Sequence, residues 1–170
     1  MSAVENALRD QLYAAFKHRA ILYYLIFDEL RREVGQEKAI DIMQRAIRRR
    51  GEQVGQRFSQ YAPDDLPSLC SAFVDGIPDE GRMFSPKVEC CDQNQLDIVL
   101  QTCPLRDAWQ EIGLSDDETA MMCRIAAAID EGTFAGAGFS FTAETWTAGA
   151  DGCCHLHIRP GNKPGEQAAL

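Results

Sequence analysis

An α+β domain is the fold class the sequence predicts, on three observations. Apolar residues recur at helical steps through residues 4–61. Two later stretches alternate apolar with polar side chains around turn residues, as hairpins do. Helix start and stop signals stand between those two stretches. The expected architecture is a set of N-terminal helices packed on a small antiparallel sheet of two hairpins, with helices separating the hairpins. A chain of 170 residues is long enough for one core, so residues 1–160 read as a single domain and 161–170 as a polar tail.

Residues 4–34 read as one long helix. Leu8, Leu12, Phe16, Tyr23, Phe27, Leu30 and Val34 recur at three-, four- and seven-residue steps. From Ile21 to Phe27 the helix is apolar on every side, which predicts a buried middle. Gly35 suits the position just past the C-terminus. A second helix, from about Glu37 to Tyr61, carries Ile40, Met43, Ile47, Val54 and Phe58 on one side. Gly51 and Gly55 should weaken its middle by roughly 1 kcal/mol each relative to alanine. Arg45, Arg48, Arg49 and Arg50 on this helix are either a solvated basic face or a clamp for a substrate carboxylate, which the bidentate guanidinium suits. Asp65 and Pro67 cap and open a short helix through Val74.

Lys87–Cys91 and Leu96–Thr102 flank Asp92-Gln93-Asn94 and read as the first hairpin. Pro104 favours the first turn of a helix running to Ile112, which places Cys103 at its N-cap. A thiol there faces unpaired N–H groups and the positive end of the helix dipole, both of which favour the thiolate. Cysteine is not a preferred capping residue, so Cys103 is either a plain cap or a reactive group. Ser115-Asp116-Asp117-Glu118 is a capping box that opens a helix to Glu131. Met122, Ile125 and Ile129 form one stripe on it; Cys123, Ala127 and Asp130 form another. Cys123 fits a small core position as well as a ligand position. Asp130 lies at a helix end that disfavours negative charge, which marks it as a candidate acid–base group. Gly132, Gly136 and Gly138 are expected to break the helix before a strand over Phe139–Trp146.

The last strand, within Gly149–Pro160, carries Cys153, Cys154, His155 and His157. Strict alternation sends Cys153, His155 and His157 to one face and Cys154, Leu156 and Ile158 to the other. The first set is a row of metal ligands or acid–base groups; the second is apolar. The chain has seven cysteines, and the neighbours Cys90-Cys91 and Cys153-Cys154 cannot easily bridge each other. Free thiols, ligands or nucleophiles are therefore expected rather than disulfides.

A net charge of −9 argues against nucleic acid or an anionic membrane surface as a partner. No apolar run approaches the roughly 20 residues needed to span a bilayer, and the N-terminus shows no secretory pattern. A cytoplasmic protein is expected. No phosphate-binding glycine loop or serine nucleophile elbow is present, so no nucleotide cofactor is expected.

Cys103-Pro104-Leu105 leading into Asp107-Ala108-Trp109, Cys123 on the following helix, and Gly149-Ala150-Asp151-Gly152-Cys153 form a pattern of their own. In these motifs and their intervals the chain resembles the L-2-amino-thiazoline-4-carboxylic acid hydrolase family, over most of residues 8–160. Membership implies hydrolysis of a cyclic thiazoline amidine. The order of helices and hairpins also resembles, more distantly, the V4R domain shared with trafficking-complex subunits. Some sensors of that type hold a structural zinc between a helix cysteine and the last strand, which implies Cys123 with Cys153 or His155 here.

Two readings follow. One is a hydrolase of a C–N bond in a small cyclic amidine. A divalent transition metal (zinc before iron) held by Cys103, Cys123, Cys153 and His155 would activate water, with Asp130 or His157 as base. Alternatively the Cys103 thiolate attacks the amidine carbon while a histidine moves the proton. Arg48 and Arg49 would hold the substrate carboxylate. The other reading is a non-enzymatic small-molecule sensor with a structural Cys/His metal site. A homodimer is a further expectation, from the apolar first helix.

Overall fold

A computed structural model describes residues 3–162. The expected tail lies outside the described residues except for residues 161 and 162. Helix α1 spans Ala3–Val34 and α2 spans Gln36–Gly55, with a 3-10 turn over Gln56–Tyr61. Helix α3 (Leu66–Asp75) leads to the hairpin β1 (Pro86–Cys91) and β2 (Leu96–Leu100). Helices α4 (Pro104–Glu111), α5 (Asp116–Ala126) and α6 (Ala128–Ala137) follow, then β3 (Ser140–Glu144) and β4 (Cys154–Arg159). The fold is α+β: the strands form one antiparallel sheet in the order β1-β2-β4-β3. Among the described residues no helix is long and apolar enough to cross a membrane.

Local signals account for most boundaries. Asp65 accepts a hydrogen bond from the Ser68 N–H and caps α3. Both halves of the Ser115/Glu118 capping box form at the start of α5. In the β1–β2 turn, the Asp92 carboxylate accepts the N–H groups of Asn94 at 2.7 Å and Gln95 at 3.0 Å.

Two expectations fail. The middle of α1 is not wholly buried. Phe27 is fully covered, but Leu22, Leu25 and Ile26 stand exposed, because α2 and α4 cover only one side of the helix. The hydrogen bond from the Trp109 indole N–H to the Ala20 carbonyl, at 2.8 Å, pins that covered side. Nor is residues 116–131 one helix ended by glycine. The chain turns at Ala127, and α6 then runs straight through Gly132 and Gly136 to a left-handed Gly138.

The reason those glycines do not break α6 lies across the helix pair. Gly51 and Gly55 of α2 face Gly132 and Gly136 of α6, and the backbones lie in contact. A Cβ at Gly51 would strike the Ile129 carbonyl oxygen; one at Gly132 would strike the Arg48 carbonyl oxygen. Four missing side chains let two helices approach more closely than ordinary ridges and grooves permit. Their helix-propensity penalty, roughly 1 kcal/mol each, is offset by that contact.

Gly132→Ala should therefore destabilise the protein despite alanine's better propensity, by on the order of 2–4 kcal/mol, the cost of overpacking between rigid backbones. Denaturant titration of this variant beside the exposed α2 control Lys38→Ala measures it; an unchanged midpoint for Gly132→Ala would show the helices can part freely.

Candidate active site

The register of the central strand pair brings remote thiols together. Leu100 of β2 pairs with Cys154 of β4, and the Cys153 N–H donates to the Leu100 carbonyl at 2.8 Å. Beyond Leu100 the chain runs on to Cys103, at the N-cap of α4. On the partner side it arrives through Gly152, whose φ of 77° is a left-handed turn glycine takes without strain. That turn precedes the first residue of β4, so Cys153 lies outside the strand's alternation and swings inward. It is 2% exposed and packs with Cys103 and the α5 residue Cys123.

The thiol of Cys153 lies among those of Cys103, Cys123 and Cys154. These contacts, and then burial, push its pKa upward. Cys103 moves the other way. Its pKa is lowered first by the hydrogen bond from Cys153, against the cost of burial, and then by the N–H groups of Arg106 and Leu105. It makes no close capping hydrogen bond, but the helix terminus favours its charge. Of this pair, Cys103 is the thiol whose surroundings favour the thiolate and Cys153 the one whose surroundings oppose it. The half-buried Arg106 guanidinium feels both sulfurs and is ion-paired to Asp107 at 2.6 Å.

A cavity of about 320 Å³ opens on these thiols, lined by Cys103, Cys123, Cys153, Cys154, Trp109 and Asp130 among others. It lies between two hydrophobic clusters, one centred on α1, α4 and α5 and one on α3 and the sheet. Asp130, in the first turn of α6, is half-buried on the cavity wall. Desolvation alone pushes its carboxyl up to about 7. No hydrogen bond or ion pair of that carboxylate occurs among the described residues. The sequence reading assigned Asp130 to a helix C-terminus; the turn at Ala127 puts it at the start of a new helix instead.

The remaining sequence candidates stand elsewhere. His155 and His157 point to the outer face of the sheet, opposite Leu156 and Ile158, and neither lines the cavity. They part from Cys153 because the strand begins one residue later than strict alternation requires. His157 Nδ1 lies 2.8 Å from the Asp97 carboxylate, which also accepts Arg159 at 2.8 Å. Burial opposes ionisation of Asp97, but hydrogen bonds from Arg159 and His157 hold its carboxyl below the usual range. His155 approaches only the Asp151 carbonyl, at 3.4 Å. The expected four-ligand set of Cys103, Cys123, Cys153 and His155 is thus divided between two faces of the sheet. Among the described residues no three His, Cys, Asp or Glu side chains are arranged to hold a metal ion.

Arg48 and Arg49 likewise face solvent on α2, Arg48 paired to Glu131 at 2.7 Å, and neither borders the cavity. The cations that do are Arg19 and Arg57, which sequence reasoning missed. Arg19 lies over the Phe16 ring, 4.3 Å from its centroid, and Arg57 lies 5.5 Å from that of Phe58. Neither has a carboxylate partner among the described residues. Their nearness in sequence to two cavity-lining rings was the available signal.

The profile of the L-2-amino-thiazoline-4-carboxylic acid hydrolase family matches residues 13–158. The chain belongs to that family. The matched span includes every residue of the thiol cluster, Asp130 and both cavity arginines. A search of curated proteins found no match to the chain.

The raised carboxyl of Asp130 has a consequence for stability. Its folded pKa exceeds the unfolded value of 3.8, so the folded state binds the proton more tightly. Stability then falls as pH rises from about 4 to about 7 and levels off above. Asp130→Asn removes this loss, so the variant should exceed the wild type by on the order of 2 kcal/mol at pH 8, the gap closing towards pH 4. Melting curves across that range test it, and a gap independent of pH would contradict the assignment.

Proposed function

We propose that the protein hydrolyses a C–N bond of a small cyclic amidine of the 2-amino-thiazoline-4-carboxylate type, with Cys103 as nucleophile. The observation carrying this reading is that one cavity is lined both by a thiol whose environment favours the thiolate and by a half-buried carboxyl pushed up to about 7. Family membership supplies the substrate class.

In the proposed reaction the Cys103 sulfur attacks the amidine carbon, already attached to ring sulfur, ring nitrogen and amino nitrogen. The tetrahedral adduct collapses by breaking the bond from that carbon to the ring nitrogen, which takes a proton from Asp130 as it leaves. The ring is now open and its carbon bonded to Cys103. Water adds to that carbon, giving up a proton to the Asp130 carboxylate, and the Cys103 thiolate departs. The product is an S-carbamoyl amino acid, and the enzyme ends as it began. Cys153, packed in the same cluster as Cys103, positions the nucleophile. Arg19 and Arg57, which line the cavity and have no carboxylate partner among the described residues, suit the substrate carboxylate. His157 has no part in this scheme, since its ring is engaged with Asp97 on the other face of the sheet.

The arrangement also bears on the metal expectation. Cys103, Cys123, Cys153 and Cys154 line the cavity, yet among the described residues no three His, Cys, Asp or Glu side chains are arranged to hold a metal ion.

Cys103→Ala should abolish turnover of 2-amino-thiazoline-4-carboxylate, and Asp130→Asn should lower kcat by ~10²–10⁴, the usual range for a general acid–base group. His157→Ala should leave kcat unchanged. Mass spectrometry of denatured enzyme quenched during turnover should show a substrate adduct on the peptide containing Cys103. Full activity in Cys103→Ala would end the nucleophile proposal.

A further inference from the structure

The cavity is larger and more aromatic than the ring chemistry requires. Beyond the thiols it extends into the second hydrophobic cluster, where Phe58, Phe73, Phe84 and Ile77 line it. This end is built. The Phe73 ring tilts against Phe58 at 6.2 Å and against the fully buried Phe134 at 5.0 Å. Phe84 meets Phe16 edge-on at 6.0 Å. Phe73 and Phe84 are only half-buried although both belong to a core. At about 320 Å³ the space falls within the range, roughly 300–1,000 Å³, of pockets that hold drug-sized molecules. One five-membered ring with an amino group and a carboxylate is much smaller than that. Arg19 and Arg57 stand beside Phe16 and Phe58, at the aromatic end rather than among the thiols.

We infer that the substrate is a cyclic amidine carboxylate bearing an aryl group, which lies against Phe73 and Phe84 while the amidine carbon meets Cys103. The inference rests on the hydrolase reading for the ring and adds the substituent. Offset or edge-on aromatic contact contributes beyond simple burial, so an aryl group gains affinity that an unsubstituted ring cannot. A carboxylate next to the aryl group reaches the two arginines.

The test compares 2-amino-thiazoline-4-carboxylate with its 5-phenyl derivative, by calorimetric titration of the Cys103→Ser variant, so that neither is consumed. The phenyl compound should bind at least tenfold tighter. Ala72→Trp, which fills the aromatic end from the cavity wall, should cancel that gain. Phe73→Leu, which keeps apolar bulk, should reduce the gain and serves alone if Ala72→Trp melts early. Equal affinities, or a phenyl gain that survives Phe73→Leu, would overturn the inference. Turnover of the parent with equal affinities overturns the aryl group alone. A phenyl preference without turnover of either compound by the wild type overturns the hydrolase reading alone. Binding of neither compound overturns both.

Discussion

The close crossing of α2 and α6 is the contact on which the rest of the molecule depends. Two glycines on each helix let backbone meet backbone, and among the described residues no other helix pair is joined this way. The crossing holds α6 against α2 at a fixed height, and so fixes where its first turn, with Asp130, stands. A carboxyl without cations or donors beside it keeps its proton only if it is held in that dry place. The raised pKa of Asp130 is thus a consequence of helix packing some distance along the chain, and glycines that look like weak points in each helix are what produces it.

A second constraint is the β2–β4 pairing. It joins the two hairpins into one sheet and ties Cys153 to Leu100 through the backbone. Helix α4 departs just beyond Leu100, so the strand register also decides which sulfur lies against the α4 N-terminus. The resulting cluster is asymmetric. One thiol sits at a helix end that favours charge; its neighbour lies among other thiols, and its pKa moves the opposite way. Proximity alone would not distinguish the sulfurs, and the helix end does. The same sheet turns His155 and His157 outward, where Asp97 binds His157 and Arg159 together as a surface feature.

Much of the fold was legible because it is governed by neighbours in sequence. The capping box at Ser115, the Asp65 cap, Pro104 after Cys103 and the alternation of Leu96, Ile98 and Leu100 each involve residues within one turn or one strand. The errors share a different cause. Glycines 132 and 136 were read by propensity, whereas their role is set by α2, some eighty residues earlier. Cys153 was placed by alternation, whereas the strand starts after it. Arg48 and Arg49 were chosen for clustering, whereas Arg19 and Arg57 border the cavity from elements that sequence keeps apart.

By itself, the sequence determined the element types, the thiolate-favouring position of Cys103 and the family, since capping, periodicity and local motifs act over a few residues. Tertiary structure alone decided which groups share a cavity. It set Cys103, Cys123 and Cys153 against one another, kept Asp130 protonated near neutrality and excluded the histidines. Desolvation and side-chain contact depend on what lies across the gap, and a strand register or a helix crossing that differs by one residue sends the same side chains to opposite faces.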